Sequence, residues 1–100
     1  MDNMLSIEFD SPDAVRSAIG QRAKAARLVL GWTRKTLAAR SGVAESTIKR
    51  FELTGHIGTA ALVQIAMALG MLDSFGALFA PRAIQTIAQA TASPRQRGSL

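Results

Sequence analysis

Apolar residues recur at three- and four-residue intervals in five runs along the chain, each bounded by a cap or turn residue, so the pattern predicts five helices. The first opens at Ser11-Pro12-Asp13, where Ser11 can cap, Pro12 fits the first helical position and Asp13 faces the positive end of the dipole. Val15, Ile19, Ala23, Ala26 and Leu30 then share one face, Arg16, Arg22, Lys24 and Arg27 lie largely elsewhere, and Gly31 stops the helix. Thr33 caps the second helix, with Trp32 before it and Leu37 inside it as a hydrophobic staple. Leu37 and Ala38 face inward, and Gly42 ends that helix and allows a tight turn. Val43 and Ile48 repeat the staple around Ala44, a poor cap that costs about 1 kcal/mol against Ser or Thr. Glu45 in the first turn offsets part of that cost through the dipole. Ile48 and Phe51 point inward, Glu45, Ser46, Lys49 and Arg50 outward, and the third helix ends near Thr54-Gly55. Thr59 is the expected cap of a fourth helix that buries Leu62, Ile65, Ala66 and Leu69 and ends at Gly70. A last short helix starts at Asp73 or Ser74, carries Phe75, Leu78 and Phe79, and is cut off by Pro81.

The flanks carry weaker patterns. In residues 4–9, Leu5, Ile7 and Phe9 alternate with Ser6 and Glu8, the mark of a short strand with one apolar face. Such a strand needs a pairing partner: the same strand of a second subunit, or else it is an arm tucked on the body. Beyond Arg82, Ile84, Ile87 and Ala88 suit another helical turn or two, while residues 93–100, SPRQRGSL, read as disordered. The expected organisation is an arm over residues 1–10, one domain over residues 11–80 and a tail over residues 81–100.

Composition narrows the class. The chain is 48% hydrophobic, which fits a packed domain, and its five aromatic residues are few enough to favour small packed helices over a sheet. It has no cysteine, so a disulfide scaffold and a cysteine-based metal or redox site are excluded. Residues 14–72 hold nine Lys and Arg against Glu45 and Glu52, a formal +7, whereas residues 1–13 hold four acids and no base. A basic body suits a polyanionic partner, although many basic domains have none. No apolar run is long enough for a membrane span, and the acidic start lacks the features of a signal peptide, so a cytoplasmic location is expected. An enzyme is not expected. There is no Cys or Tyr, His56 is the lone histidine and sits in a turn, and the glycines form no phosphate-binding loop; no cofactor or metal is implied.

The stretch that organises the rest is residues 33–53, TRKTLAARSGVAESTIKRFEL: a helix, a turn at Gly42, and a second helix with a polar, basic outer face. That is the sequence form of a helix-turn-helix, which lays its second helix in the major groove of DNA. A helical protein-interaction module is the rival, but its docking face should carry apolar anchors, and this one carries Ser46, Thr47, Lys49 and Arg50. RNA binding ranks third because interleaved exposed aromatics for stacking are missing.

RAKAARLVLGWTRKTLAARSGVAESTIKRFELTG followed by LVQIAMALGM resembles the Xre-type helix-turn-helix family, the fold of the lambda and Cro phage repressors. The matching positions are Arg27, Leu37-Ala38, Gly42, Ile48, Glu52 and Ala68-Leu69-Gly70. The resemblance implies an all-α, five-helix lambda repressor-like DNA-binding domain, here with a short N-terminal β-strand arm and a disordered C-terminal tail. It also implies an ion pair between Arg27 and Glu52, tying the first helix to the third. Arg34 stands where the family often has a glutamine that donates to a phosphate, and Thr33 and Lys35 flank it as further expected DNA-binding residues. Glu45, Ser46 and Arg50 match positions that read base edges, with Thr47 and Lys49 beside them. Arg50 suits a bidentate contact to guanine. Glu45 is either an acceptor for a cytosine amino group or a helix-start acid. Lys35 and Lys49 suit phosphates. Ala44 and Phe51 depart from the family's usual hydroxyl cap and leucine. The run FELTGHIGTAALVQIAMALGMLDSFGALFAP further resembles HipB-like antitoxins, which pair with a HipA-like kinase toxin and repress as dimers on operator DNA. A stand-alone repressor of the same fold is the alternative. A domain of this size makes few base contacts, so a homodimer on two half-sites about one helical turn apart is expected.

Overall fold

A serine hydroxyl starts the fold. Ser11 sits in extended backbone and its side chain accepts from the Ala14 amide at 3.1 Å, with Pro12 in the first helical position. In the computed structural model, which describes residues 11–81, this cap opens α1 (Pro12–Val29), followed by α2 (Arg34–Ser41), α3 (Glu45–Thr54), α4 (Thr59–Ala68) and the single-turn α5 (Asp73–Gly76). Among the described residues there are five helices and no strand, so the domain is all-α. The expected N-terminal arm and the tail from Arg82 lie outside the described residues. No helix among the described residues is long and apolar enough to cross a membrane.

Thr33 caps α2, accepting from the Thr36 amide at 3.0 Å, and Gly42 closes it in the left-handed region at φ 79°. Ala44 precedes α3 without any side-chain capping bond, leaving Glu45 as the acid in its first turn. The core is small: Leu37 from α2, Val43 from the turn, Ile48 and Phe51 from α3, and Ile65 from α4. Ile19, Ala23, Trp32, Leu62 and Leu69 pack around it, half-buried. Trp32 is therefore a packing residue, and the Arg40 guanidinium lies over its ring, 4.6 Å from the centroid.

Two glycines let α1 and α3 cross closely. A Cβ on Gly20 would stand 2.3 Å from the Phe51 carbonyl oxygen, and one on Gly55 would stand 2.3 Å from that of Arg16. Gly55 also has φ 82°, so both sterics and backbone geometry exclude a side chain there. The contact accounts for the burial of Gly20, which with Ala18 and Arg27 makes up the buried positions of α1. The expected apolar stripe is only half-buried at Val15, Ile19, Ala23 and Ala26, and Leu30 stays 46% exposed.

Two further expectations need correction. Thr59 does not cap α4: Gly58, in extended backbone, holds the cap position, and Thr59 is already helical. Glycine is nearly as good a cap as threonine, so the shift costs little. The last helix is one turn long and ends at Gly76, leaving Leu78 and Phe79 beyond it, Phe79 at 96% exposure and φ 62°. One turn fixes several backbone dihedrals for one hydrogen bond, and Pro81 turns the residue before it away from helical geometry.

The α1–α3 crossing generates a prediction with an unusual sign. Alanine is a better helix former than glycine by about 1 kcal/mol, yet Gly20→Ala should destabilise the domain by about 1–3 kcal/mol through overpacking. Urea denaturation measures this; unchanged or increased stability would contradict the close crossing.

Candidate nucleic-acid interface

The 3.6-residue period of α3 separates its two faces. Ile48, Phe51 and Glu52 are buried, while Glu45, Ser46, Lys49 and Arg50 are exposed together on the outer side. Thr47 is half-buried at the margin. Leu53, 59% exposed, continues the outer stripe one turn beyond Lys49 and Arg50, a position that the helical period of the sequence already implies. On α2, Lys35 is exposed beside the helix start. The Thr33 hydroxyl is occupied by the Thr36 amide and by the Thr36 hydroxyl at 3.1 Å, so Thr33 contributes chiefly by shaping the helix end. Leu37 N–H already donates to the Thr33 carbonyl at 3.0 Å, which leaves the amides of Arg34 and Lys35 at the open, positive end of α2.

Behind this face lies a buried charge cluster. Arg27 Nε donates to Glu52 Oε2 at 2.7 Å and Arg27 Nη2 to Oε1 at 2.9 Å, a two-pronged pair, while Nη1 donates to the Trp32 carbonyl at 2.8 Å. A third contact was not foreseen. Arg34 Nε donates to Glu52 Oε1 at 2.9 Å, so the arginine read from the sequence as a phosphate donor is also a structural partner of Glu52. Glu52 is 1% exposed, Arg27 5%, and the Arg34 side chain 28%. Gln21 Nε2 adds a bond to the Glu52 carbonyl at 3.1 Å. The cluster thus joins α1, the Trp32 linker, the first residue of α2 and the last turn of α3. No sequence spacing could have shown that Arg34, eighteen residues from Glu52, reaches the same carboxylate.

Burial pushes the Glu52 carboxyl up, but the hydrogen bonds from Arg27 and Arg34, and their charges, outweigh it and hold the group below its ordinary value. The hydrogen bond to Glu52 raises Arg27, against an opposing effect of burial. His56 is exposed in the turn after α3, its amide donating to Thr54 Oγ1 at 3.1 Å. Among the described residues, no cluster of His, Cys, Asp or Glu could hold a metal ion.

On another side, α1, α4 and α5 border an apolar groove of about 540 Å³, lined by residues including Ile19, Leu62, Leu69, Phe75 and Leu78. Exposed Met71 is part of its wall, and Leu72 and Phe79 are exposed on the same short segment.

No family model matches the chain, and no curated protein or solved structure matches it.

The cluster predicts an acid sensitivity of known sign. A carboxyl held low in the folded state contributes stability that is present above its unfolded value, near 4.5, and is lost as pH falls through the lower folded value. Glu52→Gln should remove this contribution and lower stability at pH 7 by about 3–5 kcal/mol, because two guanidiniums lose their buried partner. Denaturant melts of both proteins from pH 7 downward test it; a variant as stable as wild type at pH 7 would contradict the role of the cluster.

Proposed function

We propose that this domain binds double-stranded DNA in a sequence-specific manner as a lambda repressor-like helix-turn-helix regulator, and is not an enzyme. The observation that carries the reading is the division of α3: one face is core and buried carboxylate, the other presents Glu45, Ser46, Lys49 and Arg50 side by side to solvent. α3 enters the major groove, and Arg50 makes a two-pronged contact to guanine worth about 1–3 kcal/mol of discrimination. Lys35, Lys49 and Arg34 meet phosphates, which set position rather than sequence. Glu45 serves either as an acceptor for cytosine or as the acid of the helix start. The regulator acts as a homodimer on two half-sites, and represses by occluding its operator. Within this class, the resemblance of residues 51–81 to HipB-like antitoxins adds a HipA-like kinase toxin as partner; a stand-alone repressor is the alternative. A cytoplasmic location goes with both.

A second reading has its own observation. The apolar groove, with Met71, Leu72 and Phe79 exposed nearby, suits a protein-interaction module. The same surface also suits the second subunit of a DNA-bound dimer, so it does not weigh against the first reading.

Binding to the DNA upstream of the protein's own gene, titrated with salt and compared with scrambled DNA, tests the proposal. Sequence-specific autoregulation predicts a preference of at least several hundredfold, approaching the roughly thousandfold lower end for specific DNA-binding proteins. No binding to either DNA would favour the interaction module. Arg50→Ala should keep the fold and relax the sequence preference; a variant with undiminished preference would contradict the assigned orientation of α3.

A further inference from the structure

We propose that Glu52 is a positioning residue for Arg34, and that Arg34 meets DNA phosphate as an oriented donor rather than as a point charge. The inference rests on the DNA reading of α2 and α3. Its basis is the way three donors share one carboxylate. Arg27 occupies both oxygens of Glu52 at 2.7 and 2.9 Å, and Glu52 is 1% exposed, so the carboxylate is a fixed anchor. Arg34 Nε is bonded to that anchor at 2.9 Å.

A guanidinium is planar and rigid, so a fixed Nε–H restricts where the rest of the group can lie. Both Nη groups of Arg34 are left over, no described residue accepts from them, and 28% of the side chain remains accessible. The charges also leave a surplus. Arg27 and Arg34 face one Glu52, so the cluster keeps a formal +1 that no other described acid pairs with. Arg34 is the first residue of α2, and its own amide and that of Lys35 stand at the positive end of the helix beside the Thr33 cap. A phosphodiester oxygen arriving there meets the Nη donors, the helix end and the Lys35 side chain together. Lysine at position 34 would keep the charge and lose the fork.

The test uses the full chain, with Arg34→Lys, Arg34→Ala and wild type titrated with salt on upstream and scrambled DNA. Arg34→Lys should weaken binding to both DNAs by about five- to tenfold with an unchanged salt slope, since the charge stays and the oriented donors go. Arg34→Ala should reduce the salt slope by about one. A lysine variant within about twofold of wild type would overturn the proposal while leaving the DNA reading intact. A wild type that binds neither DNA would remove both. NMR of the Arg34 side chain in the wild type gives a measurement that needs no variant to fold. The Nε–H should be protected from solvent exchange in the free protein and stay protected on DNA while the Nη signals change. Loss of that protection on DNA would mean that Arg34 leaves Glu52 to bind phosphate, and would overturn the positioning role.

Discussion

A carboxylate buried to 1% exposure cannot stand alone in a protein interior, and the domain is arranged so that Glu52 never does. Two arginines from different helices converge on it, and a third donor from Arg27 reaches the Trp32 carbonyl. Such a cluster adds little net stability compared with a well-packed apolar substitute, because desolvating the charges costs nearly as much as their attraction returns. Its consequence is orientation. Its bonds tie α1 to α3, α1 to the Trp32 linker and α2 to α3, so the angles between α1, α2 and α3 are set by hydrogen-bond geometry rather than by a large core.

That division of labour suits a domain with a core this small. Leu37, Val43, Ile48, Phe51 and Ile65 supply the cohesion, and Gly20 and Gly55 let α1 approach the α3 backbone without intervening side chains. With one side of α3 taken up by Phe51, Ile48 and Glu52, the helical period leaves the other side for polar and basic residues. A face of this kind, mounted on an anchored helix, can serve as a rigid reading surface. A loosely held helix would have to order itself on binding, at an entropic cost.

Much of this was legible in the chain. Ser11 and Thr33 announced their caps, Gly42 its turn, and the apolar spacing the five helices, because these are local effects between neighbouring residues. The outward set on α3 followed from the helical period alone. The Arg27–Glu52 pair came instead from family resemblance, since no local rule connects residues twenty-five apart. What escaped was tertiary. Gly20 looks like a weak point in a helix until Phe51 is placed against it, and Arg34 looks like a free surface charge until Glu52 is placed beneath it. Thr59 lost the cap to Gly58, an equally suitable neighbour, and α5 stopped early because one isolated turn has little to hold it.

The central question is which surface of the domain receives its partner. Mapping backbone amide shifts of the full chain while adding an operator-length DNA duplex addresses this most directly. Changes are expected at Arg34, Lys35 and the stretch from Glu45 to Arg50, with the apolar groove around Leu69 and Phe75 silent or changing only where a second subunit docks. Shifts confined to the groove, or none across α2 and α3 at DNA concentrations in excess of the protein, would contradict the DNA reading.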